Sequence, residues 1–295
     1  MKQILADSSP GGKIFYLFLF SFIGLMIGGS LLTLILGAGE INSETSVWGI
    51  HVSTLIQSLF MFILPAWLVV AWSNSSPKQY LALTNSSGLA KAMIFGVLAF
   101  VLSYAFISFL NQWNKAIELP QALQPIEQWM RALEDSAVKT TERLLSGKSP
   151  LELIANLFFV AVLAAVSEEL FFRGALQQFL HEMTKSGHAA VWISSFIFSA
   201  IHLQFYGFFP RLLLGALLGY LFLYTRNLWV PILVHFINNA AVIIITYFWG
   251  ETEWFRCAEE MAVTPAFAGA ALVSAVATSV LFFIYTKRSP KPHNS

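Results

Sequence analysis

Long uncharged runs of apolar residues dominate this chain, and short polar segments separate them. A helix needs roughly 20 mostly apolar residues to cross about 30 Å of hydrocarbon. We predict eight transmembrane helices, which cover residues 14–39, 47–72, 92–110, 151–167, 189–205, 212–225, 229–249 and 265–286. Pro65 predicts a kink in the second helix, because proline removes a backbone donor. The pattern therefore predicts an all-α, polytopic membrane protein that forms one membrane domain over residues 1–295.

The amino-acid composition agrees with a membrane protein and excludes several other classes of protein. Hydrophobic residues make up 57% of the 295 positions and charged residues 11%, whereas soluble domains contain about 45–50% and about 25%. Such a chain cannot cover a water-facing surface, so its expected partner is the lipid bilayer. A net charge of +1 provides no basic face for nucleic acid. The single cysteine, Cys257, excludes an internal disulfide and a thiolate metal cluster.

Lysine and arginine predict the orientation, because they are enriched in short cytoplasmic loops. With the N-terminus inside, the inner segments hold nine of them: Lys2, Lys13, Lys78, Lys91, Lys185, Arg226, Lys287, Arg288 and Lys291. The short outer loops hold Arg211, Arg256, Glu40, Glu44, Glu251, Glu253, Glu259 and Glu260. We therefore predict that both termini are cytoplasmic. The competing interpretation of the first helix, a cleaved signal peptide, requires a shorter apolar run. Short loops and the lack of an ER-retention signal favour a bacterial plasma membrane.

The segment between the third and fourth predicted helices differs from the other connections. Residues 111–150 hold ten charges of mixed sign. Within them the apolar positions fall near a helical period, at Ile126, Trp129, Met130, Leu133 and Leu145. We predict an extramembrane insertion, either an amphipathic helical hairpin on the outer surface or a lid over the membrane core.

Ionisable residues within apolar helices usually mark a functional site, since each costs several kcal/mol there. Three groups stand out, all in the second half of the chain. They are Glu168, Glu169 and Arg173 in VSEELFFRGAL, His202 in FSAIH, and His235, Asn238 and Asn239 in HFINN. The first half offers only His51, near the start of the second helix. The candidate chemistry therefore lies between about residues 150 and 245.

Helical spacing assigns local relationships within these groups. Glu169 and Arg173 are four residues apart, so the arginine can neutralise and anchor this carboxylate. Glu168 is rotated by about 100° from its neighbour and is free to face another group. Phe198 and His202 share a face in the same way, so the two rings can pack. His235 and Asn239 also share a face and can present two hydrogen-bond donors to one point.

A glutamate, two histidines and an amide can support hydrolysis. A Glu–His pair can activate water for attack on an amide carbonyl, and a second histidine with an asparagine can stabilise the oxyanion. The chain has no GxSxG or HExxH motif and no catalytic-type cysteine, so acyl-enzyme chemistry is poorly supported. The alternative is a zinc ion bound by Glu168, His202 and His235.

The ordered motifs EExxxR (Glu168, Glu169, Arg173), FxxxH (Phe198, His202) and HxxxN (His235, Asn239) resemble the CPBP family. This family, also called Abi, contains membrane CAAX prenyl proteases and bacteriocin-processing enzymes. The resemblance covers about a third of the chain, and we predict residues 151–249 to be the catalytic core.

The resemblance implies an intramembrane glutamate-type endopeptidase that needs no metal or cofactor and acts on a membrane-associated peptide or protein. Carried over position by position, Glu168 and His202 activate water, and His235 and Asn239 form the oxyanion hole. Glu169 and Arg173 support that geometry. Eukaryotic relatives cleave prenylated CAAX peptides, whereas some prokaryotic relatives are linked to bacteriocin maturation or immunity.

Simpler interpretations accompany these hypotheses. The pairs Gly24/Gly28 and Gly215/Gly219 fit small-residue helix packing. We expect His51, His181, His188 and His293 at interfaces or in loops. Two other function classes are a catalytically idle scaffold or immunity protein and a proton-coupled transporter. A transporter would show matching polar residues in both halves, whereas here they occupy one half.

Overall fold

The computed structural model describes residues 4–37, 46–74, 76–84, 88–259 and 262–288. Within these ranges the chain forms helices and no strands. The α-helices are α1 Pro10–Leu36, α2 Val47–Gln57, α3 Leu64–Ser73, α4 Pro77–Tyr80, α5 Leu89–Lys115, α6 Gln124–Leu145, α7 Pro150–Asn156, α8 Ala164–Glu169, α9 Gln177–Thr184, α10 Gly187–Ala200, α11 Phe208–Thr225, α12 Trp229–Trp249, α13 Glu253–Glu259 and α14 Pro265–Arg288. The predicted all-α fold is confirmed.

Serine caps define where several of these helices begin, because their hydroxyls accept hydrogen bonds from otherwise unpaired backbone N–H groups. Ser9 accepts from Gly12 at the start of α1, and Ser186 accepts from Ala189 at the start of α10. Ser149 and Glu152 form a capping box before α7. At the other end, Lys185 and Arg226 stop α9 and α11 in the left-handed conformation.

Three π-helical segments join shorter α-helices into long spans. Ser58–Ile63 joins α2 to α3, and Leu157–Leu163 and Leu170–Leu176 flank α8 within the continuous helix Pro150–Thr184. Pro65 lies in the first turn of α3. The kink that its sequence position predicts therefore coincides with the end of a π segment, where one backbone hydrogen bond is already displaced.

The described part of the chain contains seven helices long and apolar enough to cross a membrane. The protein is therefore a multi-pass membrane protein. The predicted span 189–205 is shorter than expected, because α10 has 14 residues, about 21 Å at 1.5 Å per residue. The chain leaves α10 through Leu203, whose φ of 54° cannot continue a right-handed helix.

Contacts between the segments that link successive spans show which helix ends lie together at each end of the bundle. At one end, which we call the Lys13 end, Lys13 lies 3.1 Å from Glu182 and the Leu228 N–H donates to Ala82. At the other, the α6 end, Lys148 lies 3.2 Å from Glu251. Successive spans therefore alternate in direction. The termini themselves, with Lys2, Lys291 and His293, lie outside the described residues, as do Glu40, Glu44 and Glu260.

The insertion between the third and fourth long spans is one 22-residue helix, α6, so the predicted hairpin is wrong. Residues 116–120 precede it and contain no second helix, since Pro120 interrupts the backbone pattern. Trp129 of α6 packs against Phe205 with ring centroids 5.5 Å apart. The insertion therefore covers the connection between α10 and α11.

The largest buried cluster surrounds residues 169–177, which are all buried. Phe171, Phe172 and Phe179 pack there against α1, α3 and α10. Inside a bilayer such close packing stabilises helix association mainly through van der Waals contacts. This packing fixes the helix that carries the two adjacent glutamates.

Candidate active site

A buried ionic network joins the first and third sequence motifs. One oxygen of Glu169, Oε1, accepts a hydrogen bond from Arg173 Nη1 at 2.7 Å and another from His235 Nδ1 at 2.8 Å. The Glu169 and Arg173 side chains are 0% and 1% exposed. The ion pair predicted from the four-residue spacing is therefore present, and it also fixes a histidine on another helix.

Arg173 extends this network to a third helix. Its Nη2 donates to the backbone carbonyl of Gly215 at 2.9 Å, and its guanidinium lies 4.8 Å from the centre of the Phe198 ring. A Cβ on Gly215 would lie 3.2 Å from both Phe198 and Ser195. The glycine thus permits the close approach of α10 and α11 that brings its carbonyl to the arginine.

Glu168 faces away from this network, as its helical position predicts. Its Oε2 lies 3.9 Å from His235 Nε2, and 17% of its side chain is exposed. This separation exceeds a hydrogen bond. A single oxygen atom about 2.8 Å from both groups would fit with an angle of about 90° between them. Glu168 and His235 therefore line a space that can hold a small polar ligand.

His202 stands at the end of α10 with a defined tautomer. Its Nδ1 lies 2.7 Å from the Phe198 carbonyl oxygen. Because a carbonyl only accepts, Nδ1 is the donor and Nε2 of the neutral ring keeps a lone pair. Phe198 packs edge-on against His202 at 5.2 Å and against His235 at 6.1 Å. Among the described residues no hydrogen bond joins His202 to Glu168.

Asn239 differs from its predicted arrangement. Its Nδ2 donates to the Val160 carbonyl at 3.1 Å, and its Oδ1 accepts from Asn238 at 3.0 Å. One donor of the amide is therefore occupied within the protein. Val160 lies in the π segment Leu157–Leu163, where the altered backbone pattern leaves carbonyl groups available. The two π segments around α8 are features that the sequence did not indicate.

Arg211 was missed as part of this region, because its sequence position was assigned to an outer loop. It lies in the first turn of α11, within the candidate span Phe205–Thr225. Its electrostatic field reaches both Glu168 and His202. Pro210 was the available signal, since proline is tolerated in the first turn of a helix and predicts an earlier start for α11.

The alternative zinc set is not assembled. Among the described residues, no three histidine, cysteine, aspartate or glutamate side chains lie close enough together to share a metal ion. Phe198 packs against His202 and His235, and Glu168 lies 3.9 Å from His235, so these side chains do not form a metal-ligand set.

Comparison with known proteins identifies a family that part of this chain resembles. Residues 150–241 match the family model described as type II CAAX prenyl endopeptidase Rce1-like. The resemblance to CPBP-type CAAX proteases is confirmed over this segment, which contains all three motifs. A curated relative, the uncharacterized protein YpbD of Bacillus subtilis (strain 168), is 34% identical over 91 residues. The alignment covers 30% of this chain and 43% of that relative. No solved structure matches the chain.

Proposed function

We propose that this protein is an intramembrane endopeptidase that hydrolyses a peptide bond of a membrane-associated protein or peptide. One observation carries the proposal: Arg173 and His235 converge on one oxygen of Glu169 inside the segment that matches CAAX endopeptidases. This network fixes the histidine that borders the space beside Glu168. It therefore provides a rigid support for a reaction at that space.

Glu168 and His202 activate the attacking water in this mechanism. The Nε2 lone pair of His202 can accept a proton, because Nδ1 donates to Phe198. No described residue donates a hydrogen bond to Glu168, so both of its oxygens can accept from water. Phe198 holds the His202 ring from one side. A water between the two groups would give up a proton to one of them and attack the carbonyl carbon of the scissile bond, and that proton would then pass to the leaving amine as the C–N bond breaks.

His235 and Asn239 stabilise the oxyanion that forms. Because His235 Nδ1 donates to Glu169, its Nε2 is the nitrogen that can donate to a substrate oxygen. The Asn239 amide has two N–H groups, of which one binds Val160 and the other can face the oxyanion.

Glu169 and Arg173 position these groups and do not react. The mechanism uses no metal ion or cofactor. A peptide substrate reaches the site within the bilayer. The test is cleavage of quenched fluorescent peptides, with and without a farnesylated cysteine, by the full chain in proteoliposomes.

We expect Glu168→Gln and His202→Ala to lower cleavage by about 10²-fold or more. His188→Ala is the matched control, since His188 lies on α10, the helix that leads to His202, and its Nδ1 bonds Tyr220 instead. Full activity of Glu168→Gln would contradict the mechanism. Loss of activity in EDTA with recovery in zinc would favour a metalloprotease, and no cleavage by the wild type would favour an idle scaffold.

We further propose that both termini are cytoplasmic, in a bacterial plasma membrane. The lysine and arginine distribution supports this orientation. It places exposed Cys257, the single cysteine, outside. A membrane-impermeant maleimide should therefore label Cys257 in intact cells. Labelling only after the cells are opened would reverse the orientation.

A further inference from the structure

Arg211 is a cation in a membrane-spanning helix without a nearby counter-ion. Its Nη2 donates to Gln204 Oε1 at 2.6 Å, and its Nη1 lies 3.5 Å from the Gln204 carbonyl. In the part of the chain that the structure describes, no carboxylate lies within 4.0 Å of its guanidinium. Arg211 is half-buried, and a partly buried cation that is not ion-paired has capacity for an anion.

The guanidinium is oriented and still has free donors. It carries five N–H groups in a rigid fork, and Gln204 accepts from only two of its nitrogens. The remaining N–H groups are enough for a carboxylate, which arginine often binds through two parallel hydrogen bonds. The hydrogen bonds to Gln204 therefore orient the guanidinium of Arg211 and leave its positive charge unpaired.

Arg211 also lies beside the proposed reaction site. Gln204 and His202 belong to the same short connection between α10 and α11. The fields of Glu168 and of Glu134 on α6 both reach Arg211. The Oε2 of Glu134 accepts from the Tyr206 N–H at 3.2 Å, and this carboxylate forms no ion pair with the guanidinium within 4.0 Å. Two negative charges in range would repel a dianion such as phosphate more than a monoanion.

We propose that Arg211 binds a carboxylate of the peptide substrate, so that the enzyme selects substrates with a carboxylate near the scissile bond. This inference rests on the proposed endopeptidase function. The carboxylate comes either from the free C-terminus of the peptide or from an aspartate or glutamate side chain. The competing explanation is that Arg211 only balances the charge of Glu168, in which case it would not distinguish between ligands.

Binding of matched probes to the full-length protein in detergent, measured by calorimetry, separates these explanations without any turnover. N-lauroyl-Leu-Leu with a free carboxylate is compared with its C-terminal amide. N-lauroyl-Glu-Leu-amide is compared with N-lauroyl-Gln-Leu-amide to test the side-chain source. One charge-assisted pair should favour a carboxylate probe by about tenfold over its neutral counterpart.

Arg211→Gln should abolish that preference, whereas Arg226→Gln, at the exposed opposite end of the same helix, should retain it. Arg211→Lys, which keeps the charge but lacks the fork, should show a reduced preference and serves if the glutamine variant does not fold. Equal or undetectable binding of acid and neutral probes by the wild type would overturn the proposal. A preference that survives in Arg211→Gln would overturn it too. Failure of peptide cleavage with intact carboxylate preference would instead count against the proposed activity alone.

Discussion

Glu168 and Glu169 are neighbours in the chain but have opposite surroundings. Glu169 is fully buried and accepts hydrogen bonds from Arg173 and His235. Glu168 is 17% exposed and accepts no hydrogen bond from a described residue. We call the first environment the closed side, formed by Glu169, Arg173 and His235, and the second the open side, formed by Glu168, His202 and Arg211.

The difference shows how a membrane protein can keep reactive groups without losing its fold. A buried ion is tolerated when it is paired and hydrogen-bonded, and the closed side meets both conditions. The open side keeps unpaired hydrogen-bonding capacity, which is costly in an apolar environment but available to a ligand. His235 joins the two sides, because its Nδ1 belongs to one and its Nε2 faces the other.

The largest expected effect comes from breaking the closed side. Arg173→Met leaves the buried Glu169 carboxylate without its cation, which should cost about 3–5 kcal/mol of stability. Glu168→Gln, its partner variant on the open side, should not lower stability, because it removes an unpaired charge from an apolar environment. The measurement is the unfolding midpoint of purified protein in detergent. Equal midpoints for Arg173→Met and the wild type would remove the distinction between the two sides.

A second test addresses Asn239, the proposed second donor to the oxyanion. Asn239→Ala should lower kcat by about 10²-fold, the usual result of removing one oxyanion donor, with little change in KM. Asn238→Ala keeps the Asn239 amide and its bond to Val160 while it removes the hydrogen bond to Asn239 Oδ1, so it should lower kcat less than Asn239→Ala does. If both variants slow peptide cleavage equally, Asn239 contributes packing and not oxyanion stabilisation.

The contrast between the two sides explains what the sequence could predict. Glu169 and Arg173 are on one helical turn, so their spacing alone predicted the ion pair. The bond from His235 to Glu169 was not predicted, since it depends on the relative rotation of α12 and α8. The π segments beside α8 could not be predicted from the sequence. Apolar residues occupy every face of the helix there, so the sequence has no hydrophobic periodicity that would distinguish a π segment from an α-helix. The early end of α10 depends on the backbone conformation of Leu203.

Arg211 is a second case in which the sequence pattern could not predict a contact between distant parts of the chain. Its charge suggested a loop, and the hydrophobic pattern alone placed the start of the helix one residue after it. Only the fold reveals that this charge binds Gln204, two residues after His202. Sequence patterns therefore predicted the membrane class and the local pairs, whereas contacts between distant helices required the structure.

A third prediction uses His51, which was expected at an interface and is instead buried. Its Nε2 lies 2.9 Å from Asn156 Oδ1, and Asn156 Nδ2 donates to the Leu144 carbonyl at 2.8 Å. His51→Phe should cost about 1–3 kcal/mol, because the Asn156 oxygen loses its donor, while cleavage per folded molecule stays unchanged. His51→Phe with Asn156→Leu should recover part of this stability. A large loss of kcat in folded His51→Phe would show that buried polar pairs outside the closed side also support the reaction.

The smallest expected effect concerns the exposed charges that hold α6 over the open side. Hydrogen bonds from Arg131 and from the Leu119 N–H lower the pKa of Glu127 below its usual value. Its ionised form therefore stabilises this end of α6 above the unfolded pKa of about 4.3. That contribution is lost as the pH falls through the lower, folded pKa.

Hydrogen exchange of the Leu119 amide, corrected for its intrinsic rate, measures this change. Protection should fall on acidification in the wild type and be low at every pH in Glu127→Gln. Glu142→Gln, on the same helix, should behave as the wild type does. Since Arg131 also stacks 4.5 Å from the Tyr206 ring, the same acidification should loosen the connection that carries His202. A pH-independent Leu119 amide would mean that apolar contacts such as Trp129–Phe205 hold α6 in place, and that the open side is covered without help from exposed charges.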